Sequence, residues 1–317
     1  MSQIQNILVG VDLRHGDRLA SRDLGDESQA AVTEALRLAA TWNSTVTFCS
    51  VLEISAQSQS LIEHDRENIF KTVEDIANEV LSGLTESANS QGIACESVIL
   101  FGLAWEEIAK ESATKQYDLV IIGTRSQTRA KQILFGSTAQ KLMRVVACPL
   151  WIVKPAELRD VRDVAIATDL SPASLPAFHF AVTVARAMGA RLHVLHVLEL
   201  SDFRYLILAG VANDVLDRTE QRLGQSADDK LRQHLHQTDF RTLARGVKIE
   251  VLKGSPDSMI PEYVANEGVD LLVIGSHGHS GISGVLLGNT SERILPRLHA
   301  SLLVVKPADF RSPTVNQ

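Results

Sequence analysis

A glycine-rich segment near the end of the chain has the residue types of an anion site. Residues 270–291 read D-L-L-V-I-G-S-H-G-H-S-G-I-S-G-V-L-L-G-N-T-S, an apolar run followed by spaced glycines. Glycine lets the backbone approach a ligand closely, and a helix that begins near Asn289 directs its free N–H groups at an anion. The hydroxyl and amide side chains at the helix start add hydrogen-bond donors. The pattern predicts a phosphate site that is made mostly of main chain and includes Gly275, Gly278 and Gly288.

The same pattern occurs a second time in the first half of the chain. Asp118, Gly123, Gly136 and Lys154 each stand 152 positions before Asp270, Gly275, Gly288 and Lys306. A chain of 317 residues has room for two domains of roughly 150 residues each. We therefore predict two copies of one unit, residues 1–157 and 158–317, with the boundary in the short polar segment after Lys154.

The elements that position these residues alternate between strand and helix in both copies. Apolar runs of strand length are followed by stretches with apolar residues at helical spacing. This alternation predicts an α/β fold with a parallel, doubly wound sheet, whose ligands bind at the carboxyl ends of the strands. The predicted helices are 28–42, 61–90, 105–115 and 137–146 in the first copy, and 173–188, 213–237, 257–267 and 289–298 in the second.

Composition excludes several classes of partner. A net charge of -7 and an aromatic content of 5% argue against nucleic-acid binding, which depends on basic patches. No apolar run reaches the roughly 18 residues that a membrane-spanning helix needs, so no membrane association is expected. The first residues fit a strand better than a signal peptide, and the three cysteines fit reduced structural thiols, which together favour the cytoplasm.

Three segments of the second copy together resemble the universal stress protein family. They are the spacing G275-x2-G278-x9-G288, the segment A-T-D-L-S at 167–171, and L-H-V-L-H-V-L-E at 192–199. The arrangement is similar to tandem members of that family, and the resemblance covers essentially the whole chain. It implies two tandem doubly wound domains, each a five-stranded, mainly parallel sheet flanked by helices, of the adenine nucleotide alpha-hydrolase-like type. It also implies ATP as the ligand, with Mg²⁺ bound through the phosphates.

The resemblance assigns residues of the second copy to the two ends of the nucleotide. The adenine and ribose would lie against Ala167, Thr168, Asp169 and the backbone near Val197. The phosphates would be surrounded by Gly275, His277, Gly278, Gly288, Asn289, Thr290 and Ser291. Asn289 stands where the family often has Ser or Thr, and Pro296 is expected to shorten or kink the helix that follows.

The first copy departs from the motif. Ser126 takes the place of Gly278, and its loop carries the long side chains of Arg125, Arg129 and Lys131. A side chain at a position that needs a left-handed backbone costs roughly 1–2 kcal/mol, so we expect this copy not to hold ATP. The basic residues could instead contact a phosphate or an acidic partner, and this alternative stays open.

The first copy also has 11 more residues between Asp12 and Glu53 than the second has between Asp169 and Glu199, and they are expected to form a surface loop.

Plainer interpretations stand beside these assignments. The glycines could simply punctuate a loop, and His277 and His279 are better explained as loop residues than as a metal pair. Asp169 could cap the following helix, as could Ser171. His193 and His196 are expected to be buried histidines with satisfied ring nitrogens.

Three classes of function remain, of which a regulatory, ATP-binding stress protein with an unidentified protein partner is favoured. A slow ATP-hydrolysing or phosphoryl-transferring enzyme is less favoured because the chain has no G-x-x-x-x-G-K-[ST] loop. A scaffold that binds no nucleotide is the third class.

The final strand of each copy is apolar, P-L-W-I-V-K-P in the first and S-L-L-V-V-K-P in the second. If they stayed unpaired, these strands would expose free backbone N–H and C=O groups. We predict that the final strand of the first copy pairs with that of the second in an intramolecular pseudo-dimer. We also predict that two chains can associate as a homodimer.

Overall fold

The structure, a computed structural model, describes residues 4–14, 20–53, 69–124, 135–155, 160–276, 289–307 and 309–313. The side chains of residues 69–72, 201–204 and 289 are outside that description. The chain divides into two compact domains between residues 159 and 160, and residues 310–313 belong with the first domain. The division lies in the polar segment that follows Lys154.

The first domain is a parallel sheet with helices between its strands. The strands are β1 (Asn6–Gly10), β2 (Thr45–Leu52), β3 (Cys95–Phe101), β4 (Leu119–Gly123) and β5 (Leu150–Val153), and their order across the sheet is β3-β2-β1-β4-β5. The described helices are α1 (Asp26–Trp42), α2 (Ile69–Ser90), α3 (Ala104–Thr114) and α4 (Ser137–Val145). The strand order reverses between β1 and β4, which is where doubly wound sheets bind ligands.

The second domain repeats this topology. Its strands are β6 (Asp163–Ala167), β7 (Arg191–Leu198), β8 (Val247–Lys253), β9 (Leu271–Gly275) and β10 (Ser301–Val305), in the order β8-β7-β6-β9-β10. Its helices are α5 (Leu175–Ala187), α6 (Ser201–Leu208), α7 (Asn213–His236), α8 (Pro256–Asn266) and α9 (Asn289–Ile294). The pairs within each domain are parallel, and the predicted α/β fold with two five-stranded sheets is confirmed.

The central strands are apolar throughout because helices cover both faces of the sheet. Leu119, Val120 and Ile121 are fully buried, as are their counterparts Leu271, Leu272 and Val273. The predicted helix 28–42 is present as α1, with its apolar stripe of Ala31, Ala35, Leu38 and Ala39 buried. Periodicity thus identified the elements because each packs its apolar side on the sheet.

Two helices of the second domain differ in presence or length from the ranges predicted by periodicity. Helix α6 was not predicted, because the apolar residues of S-D-F-R-Y-L-I-L are mostly contiguous, from Tyr205 to Leu208, and show no helical spacing; Tyr205, Ile207 and Leu208 are exposed on it. Helix α9 ends at Ile294 and continues as a 3₁₀ turn, Leu295–Arg297. The shortening expected from Pro296 is confirmed, since proline supplies no N–H for the α-helical ladder.

The expectation of a surface loop after β1 is only partly right. Leu13, Ala20 and Ser21 are buried, and the Ser21 amide donates to the Leu13 carbonyl at 2.8 Å. Arg22 and Asp23 are exposed as expected. The described part of the longer segment in the first domain therefore packs inward as well as outward.

The three cysteines are free thiols, and burial raises the pKa of Cys49 to about 12. Such a thiol stays protonated and unreactive, as expected for a structural cysteine.

Within the described ranges, none of the helices is both long and apolar enough to cross a membrane.

Candidate functional site

The carboxyl edge of the second sheet brings together residues that are far apart in sequence. Ala167 ends β6 and stands beside Leu195 on β7 and Ile274 on β9. Gly275 follows Ile274 directly, and Val197 lies two residues beyond Leu195 on its strand. Parallel strands end at the same edge, so the structure places Ala167, Val197 and Gly275 along one rim of the sheet.

The turn after β6 is organised by its own polar side chains. One carboxylate oxygen of Asp169 accepts hydrogen bonds from the backbone N–H of Ser171 at 3.0 Å and from its hydroxyl at 2.7 Å. The Thr168 hydroxyl donates to Ser174 at 2.9 Å and accepts from the Leu170 amide at 3.0 Å. Asp169 therefore fixes the turn before the helix, which is the capping role considered for it, and this role leaves its contact with a nucleotide a prediction.

Leu170, within that turn, has a left-handed backbone with φ of 63°. A non-glycine residue in this conformation is strained by roughly 1–2 kcal/mol. The bonds of Thr168 and Asp169 to the neighbouring amides stabilise the conformation. Strained turns that are held this firmly cluster at ligand sites.

Two histidines of β7 form hydrogen bonds, and the expectation of a buried histidine with satisfied ring nitrogens is confirmed for His193. His193 is buried, with its Nδ1 2.9 Å from the Tyr263 hydroxyl and its Nε2 3.0 Å from an Asp163 oxygen. His196 is partly buried, and its Nδ1 lies 2.9 Å from the Thr168 carbonyl oxygen. His196 thereby ties β7 to the turn that carries Asp169.

The phosphate end of the predicted site is described only in part. Helix α9 begins at Asn289, Thr290 is exposed, and the nearly buried Ser291 places its hydroxyl 3.5 Å from the Gly275 carbonyl oxygen. That distance is at the limit of a hydrogen bond, but it brings the start of α9 to the end of β9. His277, Gly278, His279 and Gly288 lie outside the described residues.

The first domain has a cleft at the equivalent edge of its own sheet. The cleft has a volume of about 260 Å³. It lies between the ends of β1, β2 and β4 and the first turns of α1, α3 and α4. Its lining includes Asp12, Arg14, Val51, Glu53, Gly123 and Gly136.

Arg14 lies in this cleft and joins two carboxylates. Its guanidinium contacts Asp12 through two nitrogens, at 2.9 and 3.0 Å, and Glu53 through a third. The other oxygen of Glu53 accepts from the Ala104 amide, the first of α3, at 3.1 Å. The hydrogen bond to Asp12 raises the pKa of Arg14 further above its ordinary value, so the group is always charged. The sequence analysis gave Arg14 no role; its position two residues after Asp12, where the second copy has Ser171 after Asp169, was the available signal.

Gly123, at the end of β4, is required for packing. A Cβ there would lie 2.0 Å from the carbonyl oxygen of Glu27, in the first turn of α1. Ser28, one residue on, accepts from the Asp12 amide and donates to the Asp12 carbonyl, each at 3.0 Å. In the first domain, Gly123 therefore allows the first turn of α1 to pack closely against the end of β4.

Within the described part of the chain, no group of three or more His, Cys, Asp or Glu side chains is arranged to hold a metal ion.

The fold and the edge geometry define the class: a tandem α/β protein with a ligand-type cleft at the strand ends of a doubly wound sheet. The model of the universal stress protein family matches residues 3–154 and again residues 161–306. The chain belongs to the universal stress protein family, in a tandem arrangement.

Relatives of similar length support the tandem arrangement. Universal stress protein E of Escherichia coli K12 is 24% identical, over 99% of this chain and 97% of that protein. A universal stress protein of Archaeoglobus fulgidus has a solved structure with a TM-score of 0.64 at 20% identity, covering 96% of this chain and 99% of that one. A Pseudomonas aeruginosa UCBPP-PA14 protein assigned to the same family gives a TM-score of 0.65 at 19% identity, with 97% and 95% covered. These structures show that the fold is shared.

Proposed function

We propose that the protein is a regulatory adenine-nucleotide-binding protein whose second domain holds ATP with Mg²⁺. The observation that carries the proposal is the difference between two equivalent carboxylates. Asp169 is bonded by the small side chain of Ser171, whereas Asp12 is bonded by Arg14. A long cation covers the carboxylate in the first domain, and the second domain has a short hydroxyl in that place.

The adenosine end would lie along the rim formed by Ala167, Asp169 and Val197. A carboxylate at this position accepts hydrogen bonds from ribose hydroxyls, and the backbone near Val197 offers amide and carbonyl groups to the adenine edge. His196 stiffens the turn through its contact with the Thr168 carbonyl. A preformed rim of this kind lowers the entropy cost of binding.

The phosphate end would lie between Gly275 and the start of α9. The hydroxyls of Thr290 and Ser291 and the first amides of the helix are the donors there. Helix α9 has only six residues, so its dipole is weak, and the glycine loop would supply most of the amides. Mg²⁺ would neutralise the phosphates when it is bound.

A regulatory role is favoured over an enzyme because an anion cradle alone does not position an attacking water or a nucleophile. Turnover is expected to be slow and incidental. The state of the nucleotide would instead change which partner protein the second domain contacts.

The test measures binding and turnover with a matched pair of variants. We would purify the chain without added nucleotide, identify whatever is released on denaturation, and determine Mg-ATP affinity by equilibrium dialysis. Asp169→Asn is expected to weaken binding about tenfold or more, since hydrogen bonds to a charged group contribute about 1.5–3 kcal/mol. Asp12→Asn makes the same chemical change in the first domain and should leave the affinity unaltered.

Gly278→Val extends the test to the glycine loop and should abolish binding. Tight binding with little turnover, lost in Asp169→Asn and Gly278→Val, supports the proposal. Turnover of many cycles per minute would assign an enzyme. No binding in the parent, or equal losses in Asp169→Asn and Asp12→Asn, would remove the second domain as the nucleotide site.

A further inference from the structure

The ion pairs of Arg14 occupy one end of the first-domain cleft. The guanidinium bridges Asp12, which follows β1, and Glu53, which follows β2, so the side chain crosses from one strand end to the next. All three side chains are about 30% exposed, which places them at the mouth of the cleft. The bridge uses both oxygens of Asp12 and one of Glu53.

The internal repeat shows which end of the cleft this is. Asp12 corresponds to Asp169, and Val51, which lines the cleft, corresponds to Val197. These are the positions to which we assign ribose and adenine in the second domain. Arg14 corresponds to Ser171, which bonds Asp169 without crossing to the next strand.

The opposite end of the first cleft retains a helix start. Gly136 is the N-cap of α4, whose nine residues exceed the six of α9, and Ser137, Thr138 and Gly136 line the cleft. The remaining volume of about 260 Å³ is below the roughly 300–1,000 Å³ typical of ligand pockets. Arg14 and the two carboxylates that it joins line this space where β1 and β2 end.

We infer that Arg14 is the residue that keeps nucleotide out of the first domain, by acting as a built-in cation on the carboxylates that would face adenosine. This inference rests on the proposed function in one respect. It assumes that the end of the cleft next to Asp12, which corresponds to Asp169, is the end that would face adenosine. It assigns the exclusion to a residue of the turn after β1, whereas the sequence analysis assigned it to Ser126 in the loop after β4.

The test compares Arg14→Ser, which copies Ser171, with Arg14→Lys and with Ser126→Gly, all in the full chain. Equilibrium dialysis against radiolabelled Mg-ATP gives the number of sites per chain, and circular dichroism confirms folding. Arg14→Ser should bind one ATP more than Arg14→Lys does, while Ser126→Gly should bind no more than the parent. In an Asp169→Asn background, Arg14→Ser should keep the added site, which locates that site in the first domain. Arg14→Ala repeats the measurement should the serine variant not fold.

The outcomes separate this inference from the proposed function. An added site in Arg14→Ser supports the inference even where the parent binds no ATP, a result that would refute the proposed function. Equal numbers of sites in folded Arg14→Ser and Arg14→Lys overturn the inference even where the parent binds ATP through Asp169. An added site in Ser126→Gly alone also overturns it and returns the exclusion to the loop.

Discussion

Asp12 and Asp169 occupy the same place in two copies of one fold, yet their immediate neighbours give them different surroundings. The residue two positions later is Arg14 in one copy and Ser171 in the other. Serine is too short to reach beyond its own turn, whereas arginine has the length and the planar donor set to join two carboxylates. A single side chain can thus change which ligand binds at the carboxyl edge of a duplicated sheet.

Gly123→Ala is expected to destabilise the chain. The added methyl group would meet the backbone of Glu27, which cannot rotate away as a side chain does, so α1 or β4 must shift. Overpacking of this kind costs about 1–3 kcal/mol. Urea unfolding followed by circular dichroism should show a midpoint lowered accordingly.

Gly83→Ala is the control for that prediction. Gly83 lies inside α2, where an added Cβ would meet no described atom within 4 Å beyond its chain neighbours and the backbone of its own helix. Alanine has the higher helix propensity, so this variant should gain about 0.5–1 kcal/mol. Equal effects of the two substitutions would show that the close approach of Glu27 does not constrain Gly123.

At the scale of elements, a chain of polar contacts centred on the buried His193 connects β6, β7 and α8. The carboxylate of Asp163 can only accept, so the Nε2–H of His193 donates to it at 3.0 Å. In the neutral imidazole, Nδ1 then accepts from the Tyr263 hydroxyl at 2.9 Å. Lys248 of β8 lies 5.4 Å from the centre of the Tyr263 ring and pairs with Glu267, just after α8, at 2.8 Å. Three strands and a helix are joined at the amino end of the sheet, opposite the proposed ligand edge.

Tyr263→Phe should destabilise the second domain by about 1–3 kcal/mol, because it leaves a nitrogen of the buried His193 without its partner. Thermal and urea unfolding measure the loss. Tyr205→Phe removes the same hydroxyl from a ring that is 73% exposed and should change stability by less than about 0.5 kcal/mol. A loss of the same size in both variants would contradict a structural role for the His193 bond.

The last helix of each domain shows how one proline alters a repeated element. Helix α4 runs for nine residues, but α9 ends after six and becomes a 3₁₀ turn at Pro296. The local sequence was sufficient for this prediction, because a missing N–H acts on the helix that contains it.

For the whole molecule, the duplication explains why each half has a complete sheet and core. The predicted pairing of the final strands within one chain, and the association of two chains, stay predictions. Light scattering after size exclusion tests them: pairing within the chain alone gives a mass of 34.6 kDa. A mass twice as large, independent of concentration, would show the homodimer, and higher open-ended masses would contradict closed pairing of the edges.

The fold was largely predictable from sequence because its signals are local or repeated. Apolar runs marked the strands, helical spacing marked α1, and two copies of the glycine pattern marked the duplication. Helix α6 was missed because its consecutive apolar residues, Tyr205 to Leu208, are exposed and give no periodic signal.

The candidate site was predictable only in part. The convergence of Ala167, Val197 and Gly275 on one rim follows from parallel strand order, and the structure places them there. The bond from Ser171 to Asp169 was considered as a cap, but the bridge from Arg14 to Glu53 was not. The partners of that bridge are 39 residues apart and meet only when β1 and β2 pair.

The sequence by itself determined the alternation of strands and helices apart from α6, the duplication, the family and the shortened last helix, because propensity, periodicity and the missing proline N–H act within a few residues or recur along the chain. Only the tertiary structure decided that Arg14 spans two strand ends, that Gly123 makes room for the backbone of Glu27, and that His193 joins Asp163 to Tyr263. Those contacts depend on distances between atoms of different elements, and such distances are set when the helices pack on the sheet.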